Sequence, residues 1–360
     1  MKYNVISADS HVVEPPRVWT DYLDASWRSR APHLVRKDGA DVFVCEGHDL
    51  LRPSGMSLAG RAPGSGPQTF DEGVYPGAYQ PDARLKDMAK DGIDAEVVYP
   101  SISMRLFEVP DVPLKQACFQ AYNRWIAEFS AAQPDRIKAI AVMTLEDIEG
   151  AVTELKRASE LGLVGAMTTV SSDDPGLYSQ RTYDPFWAVA EANNLPVSLH
   201  VVTDQKAIAH NLVEHTMSAN AVQRSLANMI FGGLFDRFPR LKMVSAENDA
   251  GWAGYFMERM DYLYRKRISW VEQSAIKGKG MLPSEYFKRN VYITFMTDKS
   301  GVYVRDLIGV EHLMWSSDYP HNDSTWPHSQ RVIAGLFEGI PAADKNKIVA
   351  ENAARLYHFA

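Results

Sequence analysis

At 360 residues the chain exceeds the roughly 250 of a plain eight-fold βα barrel, which leaves room for insertions within one domain. Hydrophobic residues make up 46% and charged residues 23%, the composition of a globular protein able to bury a large core. A net charge of −7 argues against a dedicated nucleic-acid surface and points to a small-molecule ligand.

The first residues, Met1-Lys2-Tyr3-Asn4-Val5-Ile6, lack the apolar core of a signal peptide, and no uninterrupted apolar run of about 18 residues follows. No membrane partner is expected. Cys45 and Cys118 are the two cysteines; they show no CxxC spacing and supply no disulfide framework, so a reducing cytoplasm is the expected home.

The first strand is expected at residues 4–8, running directly into Ser7-Ala8-Asp9-Ser10-His11. A Pro/Gly-rich insertion follows over about residues 14–80, and its part at 54–67 has the residues of a mobile flap. From Pro81 onward strand-like runs alternate with helical patterns, the signature of parallel βα units. The runs at 95–99, 137–142, 164–168, 196–200, 242–245, 291–294 and 312–315 complete eight strands. Among the helices, 114–132 repeats apolar residues at three- and four-residue spacing, and 147–161 opens with acids and stops at Gly162. Residues 218–238 and 252–264 fit the same pattern. The reading is an α/β chain, a (β/α)8 TIM-like barrel with a long insertion after the first strand, forming one domain over 1–360.

In such a barrel the residues just beyond each strand share one mouth. Asp9 and His11 follow the first strand, His200 ends the fifth, Glu247 follows the sixth, and Asp318 follows the eighth. Alternate residues of an extended segment face the same way, so Asp9 and His11 can reach one ion. A set of imidazoles and carboxylates without thiolate suits Zn, Mn or Fe with open positions for water or substrate. A lone histidine at a strand end is usually an ordinary polar residue, and His33, His48, His210, His312, His328 and His358 receive that reading. The coincidence of four strand ends is what raises the others above it.

Asp9-Ser10-His11 with Glu14-Pro15-Pro16, Leu199-His200, the run from Phe231-Gly232-Gly233 to Leu241-Lys242, and Trp315-Ser316-Ser317-Asp318-Tyr319-Pro320-His321 together resemble the amidohydrolase superfamily. More narrowly they resemble its aminocarboxymuconate-semialdehyde decarboxylase-like branch. The resemblance implies a divalent metal held by Asp9, His11, His200 and Asp318. Two departures stand out: the first ligand is Asp where the best-known branch members have His or Glu, and Glu247 stands where decarboxylase relatives typically have a histidine in acid/base chemistry.

Glu247 therefore has three readings: general base beside a metal-bound water, bridge to a second metal with Asn248 or His321, or rim carboxylate held by Arg or backbone donors. His321 can fold back after Tyr319-Pro320 to join the site or to orient Asp318. The expected catalytic residues are Glu247, Asp318 and His321, and the expected metal set adds Asp9, His11 and His200, with room for two ions. Arg105 is read as a clamp for a substrate carboxylate or a surface residue. Trp315 and Tyr319 are read as substrate wall or rim packing.

Hydrolysis of a polarised carbonyl by a metal-activated water is the first functional expectation. Non-oxidative decarboxylation of an aromatic or unsaturated acid is the second, and a dinuclear Fe or Mn oxygenase component working with a partner subunit the third. Self-association, as a homo-oligomer or with another chain, is expected from aromatic-rich helices and rim loops.

Overall fold

Eight short apolar runs become parallel strands because each is covered on both faces, by the barrel interior and by the surrounding helices. A computed structural model describes residues 3–62, 64–171, 177–203 and 212–360; Pro63 of the expected flap and His210 lie outside the described residues. The strands, in chain order, are β1 (Ile6–His11), β2 (His33–Lys37), β3 (Ala40–Cys45), β4 (His48–Leu51), β5 (Ala95–Tyr99), β6 (Ile137–Val142), β7 (Gly165–Thr169), β8 (Val197–His200), β9 (Met243–Ala246), β10 (Val291–Phe295) and β11 (Leu313–Trp315). One sheet runs in the order β1-β5-β6-β7-β8-β9-β10-β11. Its two edges are stitched by Asp318 N donating to Asp9 O at 3.0 Å and His11 N donating to Tyr319 O at 2.6 Å. The result is the expected α/β barrel, nearly closed.

The first strand differs from expectation in a way that matters. It starts two residues later than 4–8 and runs through His11, so Asp9 and His11 belong to the strand itself. Its pairing with β5 slips between Ser7 and Ser10, with one more residue on β1 than on β5. Such a bulge re-aims side chains at a barrel rim.

Helices α1 (Pro81–Asp91), α2 (Val112–Ala131), α3 (Ile148–Glu160), α4 (Ala219–Phe231), α5 (Leu234–Arg237) and α6 (Trp252–Lys266) pack outside the strands. Asp111 caps α2 by accepting from Leu114 N at 3.0 Å, and Asp147 caps α3 by accepting from Gly150 N at 3.1 Å, as acids at a helix start should. The helix expected over 218–238 breaks in two. Gly233 adopts φ 72°, and a Cβ on Gly232 would stand 2.3 Å from that of Ser179.

The insertion holds more structure than its composition suggested. Strands β2, β3 and β4 form an antiparallel sheet joined by two tight turns, Asp38-Gly39 (φ 49° and 79°) and Glu46-Gly47 (φ 51° and 78°). Positive φ at both positions is the type I′ geometry that Asp-Gly favours. The flap is tied down in its described part: Ala59 N donates to Pro320 O at 3.0 Å, and Tyr75 OH donates to Ala59 O at 2.9 Å. The segment is a packed cover over one side of the barrel mouth.

Just before β11, burial holds His312 down to about 4, with Glu311 opposing and Lys242 assisting. A folded-state pKa below the ordinary 6.5 means that the unfolded chain takes up the proton first. Stability is then full above pH 6.5 and falls as pH drops toward 4, by about 2 kcal/mol after allowing for partial exposure. His312→Asn is expected to flatten this part of the profile in urea titrations at pH 7.5 and pH 4.5; an unchanged slope would remove His312 from the account.

Candidate metal centre

The strand ends fix two imidazoles before any ion is considered. His11 Nδ1 lies 2.7 Å from Pro100 O, and His200 Nδ1 lies 3.0 Å from Val201 O. A carbonyl can only accept, so each Nδ1 carries its hydrogen and each Nε2 presents a lone pair. Those two Nε2 atoms are 3.2 Å apart. Lone pairs facing at that distance repel unless a cation lies between them.

Carboxylates complete the cage. Asp9 Oδ1 is 3.5 Å from both Nε2 atoms, and Asp318 Oδ1 is 3.4 Å from that of His11. Metal–donor bonds of about 2.1 Å set the edges of a tetrahedron at about 3.4 Å, so these contacts read as edges of one coordination shell. Asp9 Oδ1 and both oxygens of Asp318 are buried without a hydrogen-bond partner among the described residues. Orphaned carboxylate oxygens are costly, and a divalent ion satisfies all of them. The residues present therefore fit a metal.

Glu247 and His321 reach the same point. Glu247 Oε2 is 3.5 Å from His200 Nε2, and His321 Nδ1 is 2.9 Å from Asp318 Oδ1. The His321 ring stacks on that of His11 with centroids 4.0 Å apart. Glu247 and Asp318 both sit in the left-handed region, at φ 55° and 56°. Backbone held there by a non-glycine residue is strain of the kind found at functional sites.

Without a cation the charges conflict. Burial pushes the Glu247 carboxyl well above the usual range, with Asp318 and Asp9 adding to it; burial also lifts Asp318 to about 7 against the pull of His11. Burial lowers His11 to about 4 and His321 to about 3. For Asp9, burial is outweighed by His200 and His11, leaving it below the usual range.

Several supporting residues escaped the sequence reading. Thr294 donates to Asp9 Oδ2 at 2.9 Å while accepting from Glu247 N at 2.9 Å, joining β1 and β10 to the residue that follows β9. Glu14 accepts from the backbone N–H groups of Ser101, Ile102 and Ser103 at 3.2, 2.9 and 2.8 Å. That loop presents Ser101 Oγ to His321 Nε2 at 2.8 Å. Arg84 is fully buried and paired with Glu96 at 2.6 Å, and it donates to the carbonyls of His11 at 2.7 Å, Gly77 at 3.3 Å and Tyr319 at 3.4 Å.

The cage forms the floor of a cavity of about 470 Å³, lined by Met56, Met104, Val201, Phe295 and Met296 on its apolar side and by Glu247, Asp249, Asp318 and Asp323 on its acidic side. Asp9, His11, His200, Glu247, Asp318 and His321 are thus brought together. The expected substrate contacts are not. Arg105 pairs with Glu108 at 2.6 Å, one helical turn away, and is absent from the described lining. Trp315 is fully buried, donating from Nε1 to Met296 O at 3.1 Å. The Tyr319 hydroxyl donates to Asp87 at 2.5 Å and its ring lies beneath Arg84, 4.6 Å away. These two aromatics pack the rim.

The profile described as amidohydrolase matches residues 33–359. Gamma-resorcylate decarboxylase of Rhodococcus jostii (strain RHA1) is 26% identical over 325 residues, covering 81% of this chain and 95% of that one. Among solved structures, an amidohydrolase of Mycobacterium avium subsp. paratuberculosis K-10 superposes with a TM-score of 0.79 at 21% identity, covering 99% of this chain and 98% of the other. A dihydroxybenzoic acid decarboxylase of Polaromonas sp. JS666, solved with manganese and the inhibitor 2-nitroresorcinol, gives a TM-score of 0.66 at 19% identity, covering 99% and 97%.

Proposed function

The chain belongs to the amidohydrolase family, and from that premise we propose that it is a metal-dependent, non-oxidative decarboxylase of a hydroxylated aromatic acid. The observation that carries the reading is the cage of Asp9, His11, His200 and Asp318 at the floor of a cavity with an apolar side of Phe295, Met296, Met104 and Val201. A volume of about 470 Å³ accommodates a single substituted ring. The gamma-resorcylate decarboxylase that covers most of the chain supports the same chemistry. Hydrolysis, the first expectation from sequence, gives way to it.

When bound, a divalent ion, manganese in this reading, supplies the positive charge that grips the substrate carboxylate and a neighbouring hydroxyl. The apolar side holds the ring flat and excludes water from it. The carbon–carbon bond to the carboxylate breaks, carbon dioxide leaves, and a proton takes its place on the ring carbon. Asp249 lines the cavity outside the cage and is exposed to solvent; partial desolvation on its cavity side, reinforced by Asp298, holds its carboxyl above the usual range. It is the group assigned to deliver that proton from solvent. Asp249→Asn is expected to lower kcat by about 100-fold or more with metal content unchanged; full activity in that variant would remove the assignment.

The reading is tested by incubating manganese-loaded protein with hydroxybenzoic acids, and separately with esters and amides, while following carbon dioxide and oxygen. Carbon dioxide release without oxygen uptake is the expected result. Ester or amide turnover alone, or oxygen consumption with a reductant, would overturn it. Cys45 and Cys118 are buried free thiols, and we place the protein in a reducing cytoplasm.

A further inference from the structure

A second concavity lies on the outer wall of the barrel, about 400 Å³ in volume and sharing no lining residue with the cavity above the cage. It opens where α4 stops. Gly233 turns the chain at φ 72°, and the Phe231 carbonyl at the helix end accepts from Ala275 N at 2.9 Å and from Ser274 Oγ at 3.0 Å. Tyr264, near the end of α6, donates to Ile276 O at 3.1 Å. The segment after α6 is thus pinned to both helices at 274–276, while its first turn, Ile268–Val271, stands off and leaves the groove. α6 holds 15 residues. Starting just after Asp249, it carries the chain about 22 Å away from the metal cavity before it reaches the groove.

The lining is of two kinds. Phe231, Leu263, Trp270 and Val271 supply an apolar slot, and Arg267 stands beside it with its guanidinium carbon 5.2 Å from the Trp270 ring. Trp270 is 61% exposed and Ile268 70%, so one turn of chain leaves two large apolar side chains in water. Around Arg267 the other cations are mostly paired: Arg265 with Asp261, Lys277 with Glu272 and Lys279 with Asp236. No acid among the described residues pairs with Arg267.

Charge points the same way. Residues 265–289 hold seven Lys and Arg against two Glu, in a chain whose net charge is −7. A guanidinium presents its donors in one plane, which suits a carboxylate or sulfonate. An arginine at a helix end also meets the negative end of the dipole, and stacking on Trp270 alone would serve a surface residue. Neither accounts for the concavity between the two helices.

We propose that this groove is a binding site for a small aromatic anion, its ring laid against Trp270 and its carboxylate or sulfonate held by Arg267. The site is separate from the metal centre and independent of the decarboxylase reading. Charge complementarity selects the anion, and a volume of about 400 Å³ limits its body to one or two rings.

The test titrates naphthalenesulfonate into manganese-loaded protein, and into the same protein in chelator, by calorimetry. Saturable binding is expected, and the part that survives chelator is expected to be one molecule per chain. Arg267→Gln and Trp270→Ala are each expected to weaken that part by at least about 10-fold. Both side chains are exposed, so both variants are expected to melt with wild type. Hydroxymethylnaphthalene, which keeps the rings and drops the charge, is expected to bind more weakly by a similar factor. Binding that vanishes in chelator would place the probe at the cage, and undiminished affinity in either variant would place it elsewhere; each overturns the proposal, as does no binding at all. Sedimentation of wild type as a dimer that Trp270→Ala dissociates would also overturn it, by showing a second copy in the groove.

Discussion

Asp318→Asn is expected to lose more than the roughly 100-fold in metal affinity that follows when only an outer partner of a ligand is changed, and to lose turnover in parallel. The substitution keeps the shape of the side chain and suits the backbone, since Asn tolerates the left-handed region that Asp318 occupies at φ 56°. Its backbone links, Asp318 N to Asp9 O and His321 N to Asp318 O at 2.9 Å, survive. What disappears is the charge, together with one donor oxygen of the cage.

The same variant separates a ligand from a structural residue by the sign of its effect on stability. Burial and the nearness of Asp9 raise the Asp318 carboxyl to about 7 against His11, so the ionised form is disfavoured when no cation is present. In chelator, Asp318→Asn is expected to melt no lower than wild type, and by about 1 kcal/mol higher if the repulsion is relieved cleanly. With manganese at about 100 times its dissociation constant, wild type gains about 2.7 kcal/mol and the variant much less. Thermal melts with and without chelator check this; equal destabilisation in both conditions would mean that Asp318 acts through packing alone.

What the sequence disclosed follows from the range of the interactions involved. The β5, β8 and β10 runs were legible because parallel strands covered on both faces read as continuous apolar stretches. The convergence of Asp9, His11, His200, Glu247 and Asp318 was legible because strand ends of a βα barrel meet by architecture, whatever the loops do. Thr294 and Arg84 were not legible, since Thr294 meets Asp9 across 285 positions of chain and Arg84 meets Tyr319 across 235. No local pattern marks such pairings. Asp38-Gly39 was a different matter: a two-residue hairpin signal stood in plain view, hidden by the reading of the whole insertion as loop. Of the two readings of Arg105, clamp or surface residue, the pairing with Glu108 three residues on favours the second, since that carboxylate is a partner close at hand.

Arg84→Met is expected to be the most destabilising change away from the carboxylate and imidazole cage. Arg84 and Glu96 are 0% and 2% exposed, and the guanidinium ties β5 through Glu96 to the carbonyls of His11 and Tyr319. Removing one partner of a buried pair strands the other charge, at a cost of about 3–5 kcal/mol. Burial already lifts Glu96 above the ordinary carboxylate range despite Arg84, and losing the cation lifts it further. A raised folded-state pKa contributes stability that is complete below the unfolded value and is lost as pH rises through the folded one. The deficit of the variant is therefore expected to be larger at pH 8 than at pH 5. Adding Glu96→Gln removes the stranded charge and is expected to recover part of the loss, most visibly at pH 8. Because the freed carbonyls flank His11 and Asp318, manganese affinity is expected to fall about 10–100-fold in both variants. Urea titrations at the two pH values, paired with manganese titrations, decide the matter: a loss under about 1 kcal/mol, or a deficit independent of pH, would show that Arg84 holds neither the charge of Glu96 nor the ligand segments in place.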